Sequence, residues 1–123
     1  MATVLTSVGE ELLIDLIDGT SAAHLTGAAS FLGWGTGAGT AAKADTVLFT
    51  EATEARVTTT QSQPVADKIR WVGTITANGS KTITNAGILT ASSGGTLVIH
   101  GDHTGQAVVL NDKIEYTIEL EQT

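Results

Sequence analysis

Lys113-Ile114-Glu115-Tyr116-Thr117-Ile118-Glu119-Leu120-Glu121 alternates apolar and polar side chains without a break. A period of two puts Ile114, Tyr116, Ile118 and Leu120 on one face of a strand and the charged residues on the other. Such a segment is a half-buried β-strand, and the sequence before it repeats the theme. Asn111-Asp112 is a turn, 106–110 and 96–101 are strands, and Ser92-Ser93-Gly94-Gly95 is another turn. Residues 81–90 form a further strand. Asn78-Gly79 is the strongest short hairpin signal, because both residues tolerate the positive φ of a type I′ turn. Upstream, Ile69, Trp71, Gly73 and Ile75 alternate with Lys68, Arg70, Val72, Thr74 and Thr76. Ala55, Val57 and Thr59 start a strand that Pro64 is expected to break. Residues 28–34 read as one more.

The expected architecture is therefore mainly β: an antiparallel β-sandwich or jelly-roll-like fold of about seven strands with one N-terminal helix. Its organisation is a single domain, 1–123, with an N-terminal segment and helix at 1–27 and a β core at 28–123. The helix is expected at 7–18. Ser7 and Glu10 have the spacing of a capping box, and Gly19 is placed to stop the helix. Val8, Leu12, Leu13, Ile14, Leu16 and Ile17 supply an apolar face. Three turns of helix are marginal alone, so this one must dock on the sheet or on a neighbouring subunit.

Composition narrows the function. The 123 residues suit one domain, and aromatics at 4% imply a thin core of modest aliphatic side chains. The net charge of −7, from 13 acidic and 6 basic residues, lacks the basic footprint of a nucleic-acid binder and disfavours an anionic membrane. No cysteine is present, which removes disulfides and thiolate metal sites. Met1-Ala2-Thr3-Val4-Leu5 lacks the basic start and apolar run of a signal peptide. No window approaches the roughly 18 apolar residues of a membrane helix.

Candidate chemistry is sparse. Gly33, Gly35, Gly37 and Gly39 punctuate Gly-Trp-Gly-Thr-Gly-Ala-Gly-Thr but do not satisfy G-x-G-x-x-G, and no Gly-Lys-Ser/Thr follows. The run reads as an irregular loop able to grip an interface. His100-Gly101-Asp102-His103 is the most site-like cluster. His100, Asp102 and His103 are weak metal candidates, since their spacing fits no established zinc pattern. The simpler reading is a polar β-turn with Asp102 accepting local backbone N–H groups. His24 is the remaining imidazole. Glu51 and Glu54 read as solvated carboxylates. Trp71 shares the face of Ile69 and Ile75 and is expected in the core, whereas Trp34, beside the glycine run, is the more exposed candidate. No catalytic residue, cofactor or bound metal is expected.

Three blocks carry a resemblance. One is the helix at 10–17 leading into a small-residue strand. The second is Trp34-Gly35-Thr36-Gly37 through Ala44-Asp45-Thr46 to Glu54-Ala55-Arg56-Val57. The third is Ile83-Thr84-Asn85-Ala86-Gly87-Ile88-Leu89, the Ser92–Gly95 turn, and Leu97-Val98-Ile99-His100-Gly101. With these the chain resembles the small β-structural virion proteins of tailed bacteriophages, among them capsid decoration proteins and proteins labelled tail fibre. The resemblance implies a non-enzymatic, usually oligomeric virion component.

The leading expectation is a capsid decoration (cement) protein on the capsid exterior. It would be made in the host cytoplasm, assemble as a homotrimer and bind the major capsid protein across joints between its subunits. Val4, Leu5, Gly33, Trp34, Gly35, Gly37 and Gly39 are the interface candidates. The alternative is a tail or tail-fibre component involved in host recognition, with Trp34, Tyr116 or the histidine cluster exposed. A small enzyme or ligand-binding domain would need convergent polar groups that the sequence does not display.

Overall fold

The computed structural model describes residues 3–19 and 30–122. The elements run β1 (Thr3–Leu5), α1 (Ser7–Asp18), β2 (Phe31–Gly35), β3 (Val57–Thr58), β4 (Thr60–Val65), β5 (Lys68–Thr76), β6 (Lys81–Leu89), β7 (Leu97–Val108) and β8 (Lys113–Glu121). They form two antiparallel sheets, one in the order β1-β7-β6-β2-β3 and one in the order β4-β5-β8. The expected β-sandwich with an N-terminal helix is the fold, with eight described strands. His24 and residues 28–29 of the expected first strand lie outside the described residues.

The core lies between the sheets. Leu32, Trp34, Ile83, Ala86, Ile88 and Ile99 of the larger sheet meet Trp71 and Ile75 of the smaller. Trp71 is 1% exposed, as its place on the Ile69–Ile75 face predicts. Ile114, Tyr116, Ile118 and Leu120 of β8 are half-buried against this cluster.

The connections depart from the sequence reading. Asn78-Gly79 makes no hairpin: β5 belongs to one sheet and β6 to the other, so the segment crosses between sheets. Neither residue has a positive φ. β5 instead takes β8 as partner over nine consecutive register pairs, from Lys68↔Glu121 to Thr76↔Lys113. This pairing matches two alternating strands face for face. β6, apolar or small on both faces, goes to the middle of the larger sheet, where both faces are covered. A two-residue turn signal is local and yields to that sorting. The hairpin that does form joins β6 to β7 through the Ser92–Gly95 turn, with Gly94 at φ 65° and Gly95 at φ 72°. The Asn111-Asp112 turn, with Asn111 at φ 72°, also carries the chain across from one sheet to the other.

Other expectations are corrected in detail. The helix spans the expected residues, and Gly19 ends it at φ 82°, but its N-cap is Thr6. Thr6 Oγ1 accepts the Gly9 N–H at 3.0 Å and donates to the Leu97 carbonyl, while Thr6 N–H bonds Val98 O at 2.9 Å. Thr6 is chosen over Ser7 because it is still extended, continuing β1 against β7. β1 also shows that the N-terminal segment supplies a strand to the β core. Within α1, Ile14 and Ile17 face solvent at 62% and 78% exposure, so the docked stripe is narrower than expected. Pro64 sits inside β4, tolerated because β4 is an edge strand and the register shifts between Ser62 and Val65. Residues 96–101 and 106–110 are not separate strands: β7 runs unbroken from Leu97 to Val108.

Candidate functional site

Three polar clusters stand out, and the largest lies on the outer face of the five-stranded sheet. There Gly33 and Gly35 of β2 sit beside Gly87 and Asn85 of β6, and these sit beside His100 and Asp102 of β7. The glycines leave a shallow trough, and residues 36–56 lie in it as a strap. A Cβ on Gly35 would collide with the Phe49 carbonyl, and one on Gly33 would press on Leu48 Cδ1 at 3.0 Å. Gly33 and Gly35 are therefore buried strand residues, and only the later part of the glycine run is loop. Gly37 donates its N–H to Phe49 O at 2.9 Å, and Gly39 is exposed.

Asn85 and His100 fasten the strap. Asn85 reads the Phe49 backbone on both sides, Oδ1 accepting from Phe49 N and Nδ2 donating to Phe49 O, each at 3.0 Å. This fixes the amide orientation, so Asn85 Oδ1 also faces His100 Nε2 at 3.0 Å. The other ring nitrogen, Nδ1, meets Asp45 Oδ2 at 2.7 Å. Both ring nitrogens are thus held by polar partners. Asp45 Oδ2 further accepts the Ala42 N–H at 2.8 Å, and the Phe49 ring meets the imidazole edge-on at 4.6 Å. No helical turn follows Asp45. Asp102 takes the non-local Ala41 N–H at 2.8 Å instead of forming a local turn.

The second cluster surrounds Glu54, which is not solvated as expected: its side chain is 4% exposed. Trp34 Nε1 donates to it at 3.0 Å, Lys81 Nζ at 2.6 Å and the Asn78 N–H at 2.9 Å. Burial pushes this carboxyl up, but the three donors outweigh it and lower its pKa from 4.5 to about 2. Trp34 is correspondingly interior, 1% exposed, with its ring in the core and its N–H on Glu54. Nearby, Arg56 holds Glu51 through Nε at 2.7 Å and Nη2 at 2.8 Å, while its Nη1 donates to Ala91 O and Gly94 O. The strap is thus tied to the β6–β7 hairpin as well.

The low Glu54 pKa has a direct consequence. The stabilisation from ionised Glu54 is full above about pH 4.5 and is lost as pH falls toward 2. Glu54→Gln should lower stability at pH 7 by about 1–3 kcal/mol and flatten the acid limb in that window. Urea titrations of both proteins at pH 7, 5 and 3 measure this; parallel acid limbs would refute it.

In the third cluster His103 turns to the opposite face of β7. Its Nδ1 donates to Thr104 O and its Nε2 accepts from Tyr116 OH, each at 2.8 Å. Burial pushes the Tyr116 phenol up. The pair stands in a cleft of about 450 Å³ between the sheets, lined also by Ala86, Gly101 and Ile118. A second, apolar cleft of about 240 Å³ lies under α1, between Leu12 and Leu16 on one side and Ile69, Trp71 and Leu120 on the other.

The structure therefore separates the metal candidates: His100 and Asp102 go under the strap and His103 goes to Tyr116. No three metal-ligating side chains cluster among the described residues. Of the interface candidates, Gly33, Trp34 and Gly35 are buried within the chain, whereas Val4 and Leu5 are half-buried in β1 and Gly39 is exposed. The sequence reading missed Asp45, Asn85 and Glu54 as partners. An Asn in the middle of the apolar β6 run was the available sign of a buried polar contact.

No protein-family model matches the chain, and neither a curated protein nor a solved structure matches it significantly. No helix among the described residues is long and apolar enough to cross a membrane.

Proposed function

We propose that this protein is a non-enzymatic structural component of a tailed-phage virion, a capsid decoration protein on the capsid exterior that binds across joints between major capsid subunits. The observation that carries the reading is where its polar chemistry goes. His100, Asp45, Asn85, Asp102 and Glu54 all hold the strap to the sheet, and His100 Nε2, the nitrogen a general base would use, is tied to Asn85 away from solvent. No buried side-chain nitrogen or oxygen among the described residues lacks a partner. What faces outward is an acidic surface with apolar points at Ile14, Ile17, Val47, Val109 and Leu110. A braced β domain with such a surface suits adding buried area at a seam more than turning over a substrate. The phage resemblance supplies the setting.

The second reading, a tail component in host recognition, draws on the His103–Tyr116 pair in its open cleft. One experiment separates the two. Purified protein is mixed at micromolar concentration with capsids lacking it and sedimented, and in parallel is added to host cells before phage adsorption. Co-sedimentation in saturable amounts, without an effect on adsorption, is expected. Failure to sediment would overturn the decoration reading, and competition for adsorption would favour the tail.

A further inference from the structure

Among the described residues, every strand edge of the sandwich but one is short or interrupted. β3 has two residues and β1 has three. β4 carries Pro64 and a register shift. β7, where β1 no longer covers it, is bent by the register shift between Asp102 and Gln106. β8 is different. It is nine residues long, contains neither Gly nor Pro, and pairs with β5 without a bulge. No strand among the described residues lies on its other side. Such an edge is a template for another strand unless its side chains select what may pair.

We propose that β8 pairs with β8 of a second copy of this chain, antiparallel and centred on Tyr116, joining the two small sheets into one of six strands. Of the registers that pair five or more residues of β8, this is the one that faces opposite charges and no like charges. With Tyr116 at the centre, Lys113 stands opposite the partner's Glu119, Glu115 opposite the partner's Thr117, and Ile114 opposite the partner's Ile118. Centring on Thr117 sets Glu115 against the partner's Glu119 twice. Centring on Glu115 sets that residue against itself, and centring on Ile118 sets Glu115 against the partner's Glu121. Like charges directly opposite are destabilising. Registers shifted by one residue turn the apolar face of one copy to solvent. Glu119 is held on its β5 side by Arg70 at 2.7 Å, with Lys68 at 4.0 Å, which leaves its other flank for the partner's Lys113. The pairing also brings the partner's strand to the mouth of the cleft beside Tyr116 and Ile118.

The contact is two-fold, unlike the homotrimer expected of a decoration protein. It is a property of the free chain, so its failure leaves the capsid reading standing. Sedimentation equilibrium of the full chain should give twice the 12.6 kDa of one chain. A monomer at all concentrations up to about 100 μM, or a trimer, overturns the proposal. Lys113→Glu and Glu119→Lys should each weaken self-association about tenfold or more. Mixing these two variants should restore it, because the mixed pair has opposite charges at both contacts; no recovery in the mixture overturns the register. Tightening by Glu115→Lys would place the centre at Thr117 and also overturn it. Hydrogen exchange of the unaltered protein needs no variant: protection within β8 should rise with concentration, and concentration-independent exchange there refutes the pairing.

Discussion

His100→Ala should destabilise the protein by about 2–4 kcal/mol, from two buried hydrogen bonds lost and a cavity opened. The imidazole is fully buried and bridges Asp45 and Asn85. Alanine leaves Asp45 Oδ2 and Asn85 Oδ1 each with one fewer hydrogen-bond partner, and it opens a cavity where the Phe49 ring packs. The loss should concentrate in the strap. Amides 36–56 should exchange faster than those of β5 and β8, because the strap has little apolar burial beyond Ala41 and Leu48. Guanidinium denaturation gives the total, and exchange gives its location. A loss below about 1 kcal/mol, or one spread evenly over both sheets, would show that the bridge does not hold the strap.

Trp34→Ala should cost a similar amount, about 3–5 kcal/mol. The ring fills the inter-sheet core from β2, and its Nε1 is one of the three donors on Glu54. Trp34→Phe separates these roles. It keeps most of the ring but removes the N–H, so it should cost less and should raise the Glu54 pKa from about 2 toward 4.5. A loop tryptophan at the edge of a glycine run would give changes within about 0.5 kcal/mol for either substitution, and that outcome would refute the interior placement.

Much of the fold could be read from alternation. β5 and β8 each have one buried face, so a period of two marks them, and the Gly94-Gly95 turn marks the β6–β7 hairpin. The partner of each strand was not legible at Asn78-Gly79, because a turn signal reports only local φ and ψ. Which sheet a strand joins depends on how many of its faces must be covered. The glycine run misled for a related reason. In a sequence glycine signals conformational freedom, but at Gly33 and Gly35 it supplies absent volume beneath another segment, a requirement that exists only because residues 36–56 lie there. His100, Asn85 and Asp45 are far apart in sequence, so no spacing rule could join them.

The pairing of β1 with β7 sets an order of events. Thr3, Val4 and Leu5 are synthesised more than ninety residues before their partners Gly101, His100 and Ile99. The Thr6 cap likewise needs the Leu97 and Val98 carbonyls. Neither β1 nor the docking of α1 can be completed until β7 has been made, and topologies dominated by such distant pairings fold slowly, in milliseconds to seconds. β1 is therefore among the last elements to settle although it is made before the rest of the sandwich, and the larger sheet closes only after β7 has been made.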